Sequence, residues 1–253
     1  MQELDLNEKT TGSNIICGRN SVMEAVRSGR EIDKLLVAHG VSGGSVTAII
    51  AKCSAKGILI KEVSAQKLDY LCSGANHQGV AVMVAEQQYS TVDEILALAK
   101  ERNEAPFIII CDEIEDPHNL GAIIRTAEAC GVHGIIIPKR RSASLNITVA
   151  KSASGALEYM KVARVTNLVN EIERLKKEGV WVFGADMDGV DYTSVDYTVP
   201  TAIVIGNEGK GIGRLVAEKC DSIISLPMKG KINSLNASVA AGALMYEVVR
   251  KRS

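Results

Sequence analysis

Three groups of residues have the types and spacing of a chemical site. The first is Asn119, Gly121 and Arg125 in NLGAIIR, where Leu120, Ile123, Ile124 and Ala127 form the apolar stripe of a helix with Asn119 as its expected N-cap. Gly121 and Arg125 share the opposite, more polar face, so the glycine is expected to clear space beside the guanidinium. On spacing alone, a surface arginine on an amphipathic helix is an equal reading. The second group is the loop GNEGKGIG (206–213), with glycines on both sides of Glu208. The third is PMKGKINSLNAS (227–238), which brings Lys229, Lys231, Ser234 and Asn236 to a helix entry. Backbone so rich in glycine is either turning sharply or approaching a ligand closely.

Two nucleotide readings of the glycine loop fail on spacing. A phosphate loop needs Gly-Lys followed by Ser or Thr, and Lys210 is followed by Gly211. A dinucleotide fingerprint needs G-x-G-x-x-G beside the first strand of its domain, whereas Gly209, Gly211 and Gly213 alternate after a late strand. Glu208 would also repel a phosphate, so an uncharged or cationic ligand suits this loop better. Asp112, Glu113, Glu115 and Asp116 could suggest a hard-metal site, but a solvated acidic turn is the simpler reading. The six cysteines and four histidines are dispersed without any C-x-x-C pair, so no metal site and no disulfide is expected.

Elements must position these groups. Apolar runs at residues 202–205 and 223–226 lead into the second and third loops, and each loop enters a helical pattern. From residue 107 onward, short apolar runs (107–111, 135–137, 181–183) alternate with helical patterns (120–130, 149–156, 168–177, 212–219, 235–250). The class is α/β, a mostly parallel sheet with helices on both faces and its ligands at the carboxyl ends of the strands. Residues 14–85 form a small N-terminal α/β unit. It has a helix over 20–28 stopped by Gly29, a second over 46–55, strands at 35–38, 58–63 and 80–85, and a polar loop, SGANHQG (73–79). Its Arg19, Arg27, Arg30 and Lys34 form either a solvated face or a binding surface. Residues 1–13 are expected to be a disordered tail, 86–105 a linker and 106–253 the catalytic domain.

A chain of 253 residues with a net charge of -1 is no wholly basic nucleic-acid binder. Local patches such as Lys139, Arg140 and Arg141 are compatible with phosphate contacts. No apolar run approaches the roughly 18–20 residues of a membrane span, and the polar N-terminus is not a secretory signal, so a cytoplasmic protein without membrane contact is expected.

Taken in order, NLGAIIRTA, IVIGNEGKGI and ISLPMKGKINSLNASVA resemble the three motifs of the SpoU (TrmH-type) RNA ribose 2′-O-methyltransferases of the SPOUT superfamily. GRNSVMEAV and NHQGVA in the first unit are similar to the substrate-binding domain of the branch that methylates a guanosine of 23S rRNA. The resemblance implies S-adenosyl-L-methionine as methyl donor, an RNA substrate, a homodimer and a C-terminal trefoil knot. It implies catalytic positions at Asn119, Arg125, Glu208, Ser234 and Asn236. It also implies a cofactor pocket around Gly184, Ile205, Gly206, Leu226, Met228 and Leu235. A tRNA methyltransferase and a non-catalytic RNA-binding assembly factor are the alternatives.

Overall fold

The computed structural model describes residues 15–28, 31–84, 89–231 and 234–253. The expected tail (1–13), the stop at Gly29, Arg30 and residues 86–88 of the expected linker lie outside the described residues. The chain divides into two compact units, Met1–Gln88 and Tyr89–Ser253.

In the first unit the elements are β1 (Ile15–Cys17), α1 (Arg19–Arg27), β2 (Ile32–Ala38), α2 (Gly44–Ala55), β3 (Leu59–Val63), α3 (Ala65–Leu71) and β4 (Val80–Val84). The sheet order is β1-β4-β2-β3, with β3 parallel to β2 and β4 antiparallel to both neighbours. Alternation along β2 makes two small cores: Leu35 and Val37 meet Val22, Val26, Ile49 and Cys53 of α1 and α2, while Leu36 and Ala38 meet Leu68 and Leu71 of α3. The loop 73–79 is fastened: Arg19 Nε donates to the Gln78 carbonyl at 3.1 Å, and His77 Nδ1 accepts from Gly79 N at 3.0 Å.

The second unit comprises α4 (Val92–Glu101), β5 (Phe107–Cys111), α5 (Pro117–Ala129), β6 (Gly134–Pro138), α6 (Ile147–Ala153), β7 (Val162–Val165), α7 (Leu168–Lys177), β8 (Trp181–Asp191), β9 (Thr201–Ile205), α8 (Arg214–Ala217), β10 (Ser222–Ser225) and α9 (Ala237–Arg252). Its six strands run in the order β10-β8-β9-β5-β6-β7, and every pairing is parallel. All of FIIIC in β5 is buried because both faces are covered. Ile109 and Cys111 pack toward α5, α6 and α9, while Ile108 and Ile110 pack toward α4, α7 and α8. Each fully buried side chain of this size contributes roughly 1.5–3 kcal/mol relative to exposure, so the central strand serves two cores at once.

The segment read as a linker is largely built into this unit. Thr91 and Glu94 form a reciprocal capping box that starts α4, and Val92, Ile95 and Ala99 are buried. A Cβ on Gly134 would stand 2.4 Å from Ile95 Cγ1, so the glycine in β6 is the recess that seats the helix. Among the described residues no helix is long and apolar enough to cross a membrane, and no His, Cys, Asp and Glu cluster could hold a metal.

Candidate active site

Six parallel strands send the segments after β5, β6, β8, β9 and β10 to one edge of the sheet, where the three motifs meet. Helix α5 begins one turn earlier than expected. Asp116 is its N-cap, accepting from His118 N at 2.9 Å, and Pro117 fills the first position, where an N–H would have no helical partner. Asn119 is therefore not a cap but a buried side chain of the first turn. Its Nδ2 donates to Glu208 Oε1 at 2.8 Å, and its Oδ1 accepts from Asn236 Nδ2 at 2.9 Å. Glu208 Oε1 also accepts from Asn236 Nδ2 at 2.5 Å and from Ala237 N at 3.2 Å.

The chemistry of the partners fixes the amide orientations. Asn236 Oδ1 caps α9, accepting from Ser238 N at 3.0 Å and Val239 N at 3.3 Å, so its amino group must face the carboxylate, which only accepts. One residue from each motif is thus tied into one network.

Arg125 is not part of it. It is exposed on α5, and its NH1 donates to Ser154 Oγ at 3.3 Å. Gly121 does not make room for it, contrary to the sequence reading. A Cβ there would lie 2.4 Å from Ser152 Cβ and 2.8 Å from the Val149 carbonyl, so the glycine lets α6 press onto α5.

The glycine loop turns sharply. Asn207 and Gly211 exchange backbone hydrogen bonds at 3.0 and 2.8 Å, and Asn207 Oδ1 accepts from Gly209 N at 2.9 Å. A Cβ on Gly206 would lie 2.3 Å from Gly211 carbonyl carbon, and Gly211 itself has φ +67°. These two glycines answer the chain folding on itself. The expected solvated acidic turn is also otherwise employed. Asp112 is buried and accepts from Gly213 N at 2.7 Å, with burial pushing its carboxyl pKa up against that hydrogen bond. Glu113 pairs with Arg141 at 2.7 Å, and its carbonyl accepts from Asn207 Nδ2 at 3.1 Å.

Beside the network opens a cleft of about 580 Å³, the size of a small-molecule site. Ile205, Gly206, Glu208, Leu226, Met228, Ser234 and Leu235 line it, with Ala237, Ala240 and Leu244 of α9 behind. Asn119, Arg125, Asn236 and Gly184 do not. Gly184 lies beneath, where a Cβ would meet Ile223 Cδ1 at 2.8 Å. Between Gly184, which pairs with Ile223, and Val190, which pairs with Ile224, residues 185–189 have no partner on β10, although Ala185 still pairs with Ile205 of β9, and Ala185, Asp186 and Met187 join the cleft lining. Sequence reading missed them, although ADMDG is a polar, glycine-bearing stretch following an apolar run.

A family model described as the SpoU rRNA Methylase family matches residues 106–246, and one described as RNA 2′-O ribose methyltransferase substrate binding matches residues 15–90. The chain belongs to the SpoU methylase family. It is 51% identical over 239 residues to the "Putative TrmH family tRNA/rRNA methyltransferase YacO" of Bacillus subtilis, covering 94% of this chain and 96% of that one. Among solved structures it is similar to the SpoU methyltransferase AviRb of Streptomyces viridochromogenes in complex with AdoMet (27% identity, TM-score 0.60, 94% and 90% of the two chains). It is likewise similar to the A. aeolicus TrmH/SpoU tRNA modifying enzyme (30% identity, TM-score 0.55, 64% and 83% of the two chains). As a SpoU methylase it is an S-adenosylmethionine-dependent RNA methyltransferase of α/β fold.

The cleft suits that cofactor. Its walls are apolar at Ile205, Leu226 and Leu244, as an adenine requires, and the glycine loop at its rim offers backbone polar groups.

Proposed function

We propose that this SpoU methylase methylates a ribose 2′-hydroxyl on a guanosine of 23S rRNA, acting as a homodimer in the cytoplasm. The observation that carries the chemistry is the contrast between the tied Asn119–Glu208–Asn236 network and the exposed guanidinium of Arg125 on the same helix. S-adenosylmethionine, bound in the cleft, supplies a methyl group already activated by its sulfonium. The protein must then align the hydroxyl and ease loss of its proton.

A guanidinium is not deprotonated in proteins, so the proton acceptor is a group other than Arg125. It grips the phosphate beside the target ribose and stabilises charge growing on the attacking oxygen. Glu208, accepting on one oxygen from two side-chain amides and a backbone N–H, holds the motifs together. Asn119 and Asn236 share that role. Ser234, exposed at the cleft's rim, orients the ribose. Lys139 and Arg140, following β6, contact phosphates further along the RNA.

The similarity of GRNSVMEAV and NHQGVA to the guanosine-methylating branch supports the substrate. The dimer reading rests on α9, whose Val239 and Tyr246 are 55% and 56% exposed, with the small Ala243 between them. Light scattering is expected to give twice 27.0 kDa, and a monomer mass would refute the dimer. For the substrate, the test is a map of ribose methylation in rRNA and tRNA with and without the gene. Loss of one guanosine methyl from 23S rRNA is expected. Loss from tRNA instead would move the substrate, and no loss anywhere would favour a non-catalytic RNA binder.

A further inference from the structure

Asp186 stands out among the cleft residues because nothing described so far uses it. It lies within β8, one residue past Ala185, where the pairing with β9 ends, in the excursion of residues 185–189 that has no partner on β10, and it lines the cleft with Ala185 and Met187. Its carboxylate is held in place. Oδ1 accepts from Met187 N at 2.6 Å, and Oδ2 stands 3.0 Å from where a Cβ on Gly211 would be, so it lies against the bare backbone of the glycine loop. Among the described residues no cationic side chain pairs with Asp186, although Lys210 lines the same cleft. An ionised carboxylate has about four acceptor positions, so the one bond to Met187 leaves most of them for a ligand.

We infer that Asp186 is a cofactor-binding residue that accepts hydrogen bonds from the ribose hydroxyls of the methyl donor. A vicinal diol presents two O–H donors side by side, and a carboxylate presents two acceptors at matching spacing. An acidic residue at the carboxyl end of a strand, next to a glycine loop, meets a nucleoside ribose in this way in open α/β sheets. Here β8 and β9 are neighbours, and the excursion of one faces the loop of the other. The apolar walls then take the adenine, and the carboxylate fixes its sugar. This inference rests on the cleft being the cofactor site.

The test uses the full-length protein and four ligands: S-adenosylhomocysteine, S-adenosylmethionine, 5′-methylthioadenosine and the 2′-deoxy form of the last. Methylthioadenosine lacks the amino-acid part, so it separates ribose from ammonium recognition. Calorimetry on wild type is expected to show methylthioadenosine binding about 10-fold more tightly than its 2′-deoxy form, the usual worth of a hydrogen bond to a charged acceptor. In Asp186→Asn that ratio should shrink to about 2-fold or less, while all ribose-bearing ligands weaken by a similar factor of about 10. Circular dichroism would confirm that the variant is folded. A ratio unchanged in Asp186→Asn would overturn the inference, since a merely distorted loop weakens both forms alike. Weakened S-adenosylhomocysteine with unchanged methylthioadenosine would overturn it too, by assigning Asp186 to the ammonium. A wild type that binds none of the four would sink the cleft's assignment along with it, whereas failure confined to the variant would leave that assignment standing.

Discussion

The two ends of the parallel sheet are built on opposite plans. At the carboxyl end the cleft lining includes exposed Lys210 and the Asp186 carboxylate, and α5, which starts there, carries exposed Arg125. At the amino end the buried polar side chains among the described residues have partners. Arg252, at the end of α9, donates to the carbonyls of Tyr197, Ala105, Pro106 and Val199 at 2.8–3.1 Å, and its guanidinium lies 5.3 Å over the Phe107 ring. His133, 1% exposed, accepts from Phe107 N at 3.0 Å and faces Glu104 at 3.0 Å. One helix, α9, runs between the two ends, with Asn236 capping its start and Arg252 near its finish. Groups saturated by the protein hold it together, and groups left open are available to a ligand. The carboxyl end also carries one saturated network, Asn119–Glu208–Asn236, which marks where positioning stops and binding begins.

The largest effect should come from the open group. Arg125→Lys keeps the charge but loses the planar fork. Single-turnover methyl transfer is expected to fall by about two to three orders of magnitude. Thermal stability should move by no more than about 0.5 kcal/mol, because the side chain is exposed and off the apolar stripe. Affinity for S-adenosylmethionine should hold, since Arg125 does not line the cleft. Unchanged turnover would return Arg125 to an ordinary surface arginine and erase the contrast.

Arg252→Ala should do the reverse. It strips donors from several carbonyls and uncovers Phe107, which at about 1–3 kcal/mol per unsatisfied group, partly relieved by water, predicts a loss of roughly 2–4 kcal/mol. Urea midpoints would report it. Cofactor affinity should stay within about twofold if the ends are independent. A parallel loss of affinity and stability would instead show that α9 transmits its register from Arg252 to Asn236.

How much of this was legible beforehand differs by element. Short apolar runs such as FIIIC between helical patterns read as buried strands, so the parallel sheet followed from pattern, while the grouping of the three motifs came from the family resemblance. For α4 the helical pattern of TVDEILALAKER was readable but its burial was not, because polar segments bound it and the recess that receives Ile95 is made by Gly134, nearly forty positions away. Asn119 was misplaced as a cap even though Asp116-Pro117 spells a helix start. Glycines were the least readable residues. Gly121 looked like room beside a guanidinium and Gly206 and Gly211 like a sharp turn or a ligand's approach, yet Gly121 admits helix α6, Gly206 admits the backbone of Gly211, and Gly211 is required by its φ of +67°. Spacing says that a side chain is absent, and only tertiary structure says what fills the gap.

The smallest effect concerns His133 and sharpens the contrast by pH. Phe107 N–H donates to Nδ1, so the neutral ring carries its proton on Nε2 and gives it to Glu104. Burial holds the pKa below the ordinary 6.5, outweighing the upward pull of Glu104. The unfolded chain therefore takes up a proton near 6.5 that the folded chain refuses. Stability from this group is complete above that pH and is lost as pH falls through it toward the folded value, by at most about 1.4 kcal/mol per pH unit. Between pH 7.5 and 5.5 the wild type should lose more stability in urea than His133→Asn, whose Oδ1 can still accept from Phe107 N but does not titrate. Carboxylates common to both proteins cancel in that difference. The same pH change should leave cofactor affinity alike in the two proteins, because His133 sits at the closed end of the sheet. Equal losses of stability would mean that the ring is charged in the folded state and that the amino end is less sealed than its hydrogen bonds indicate.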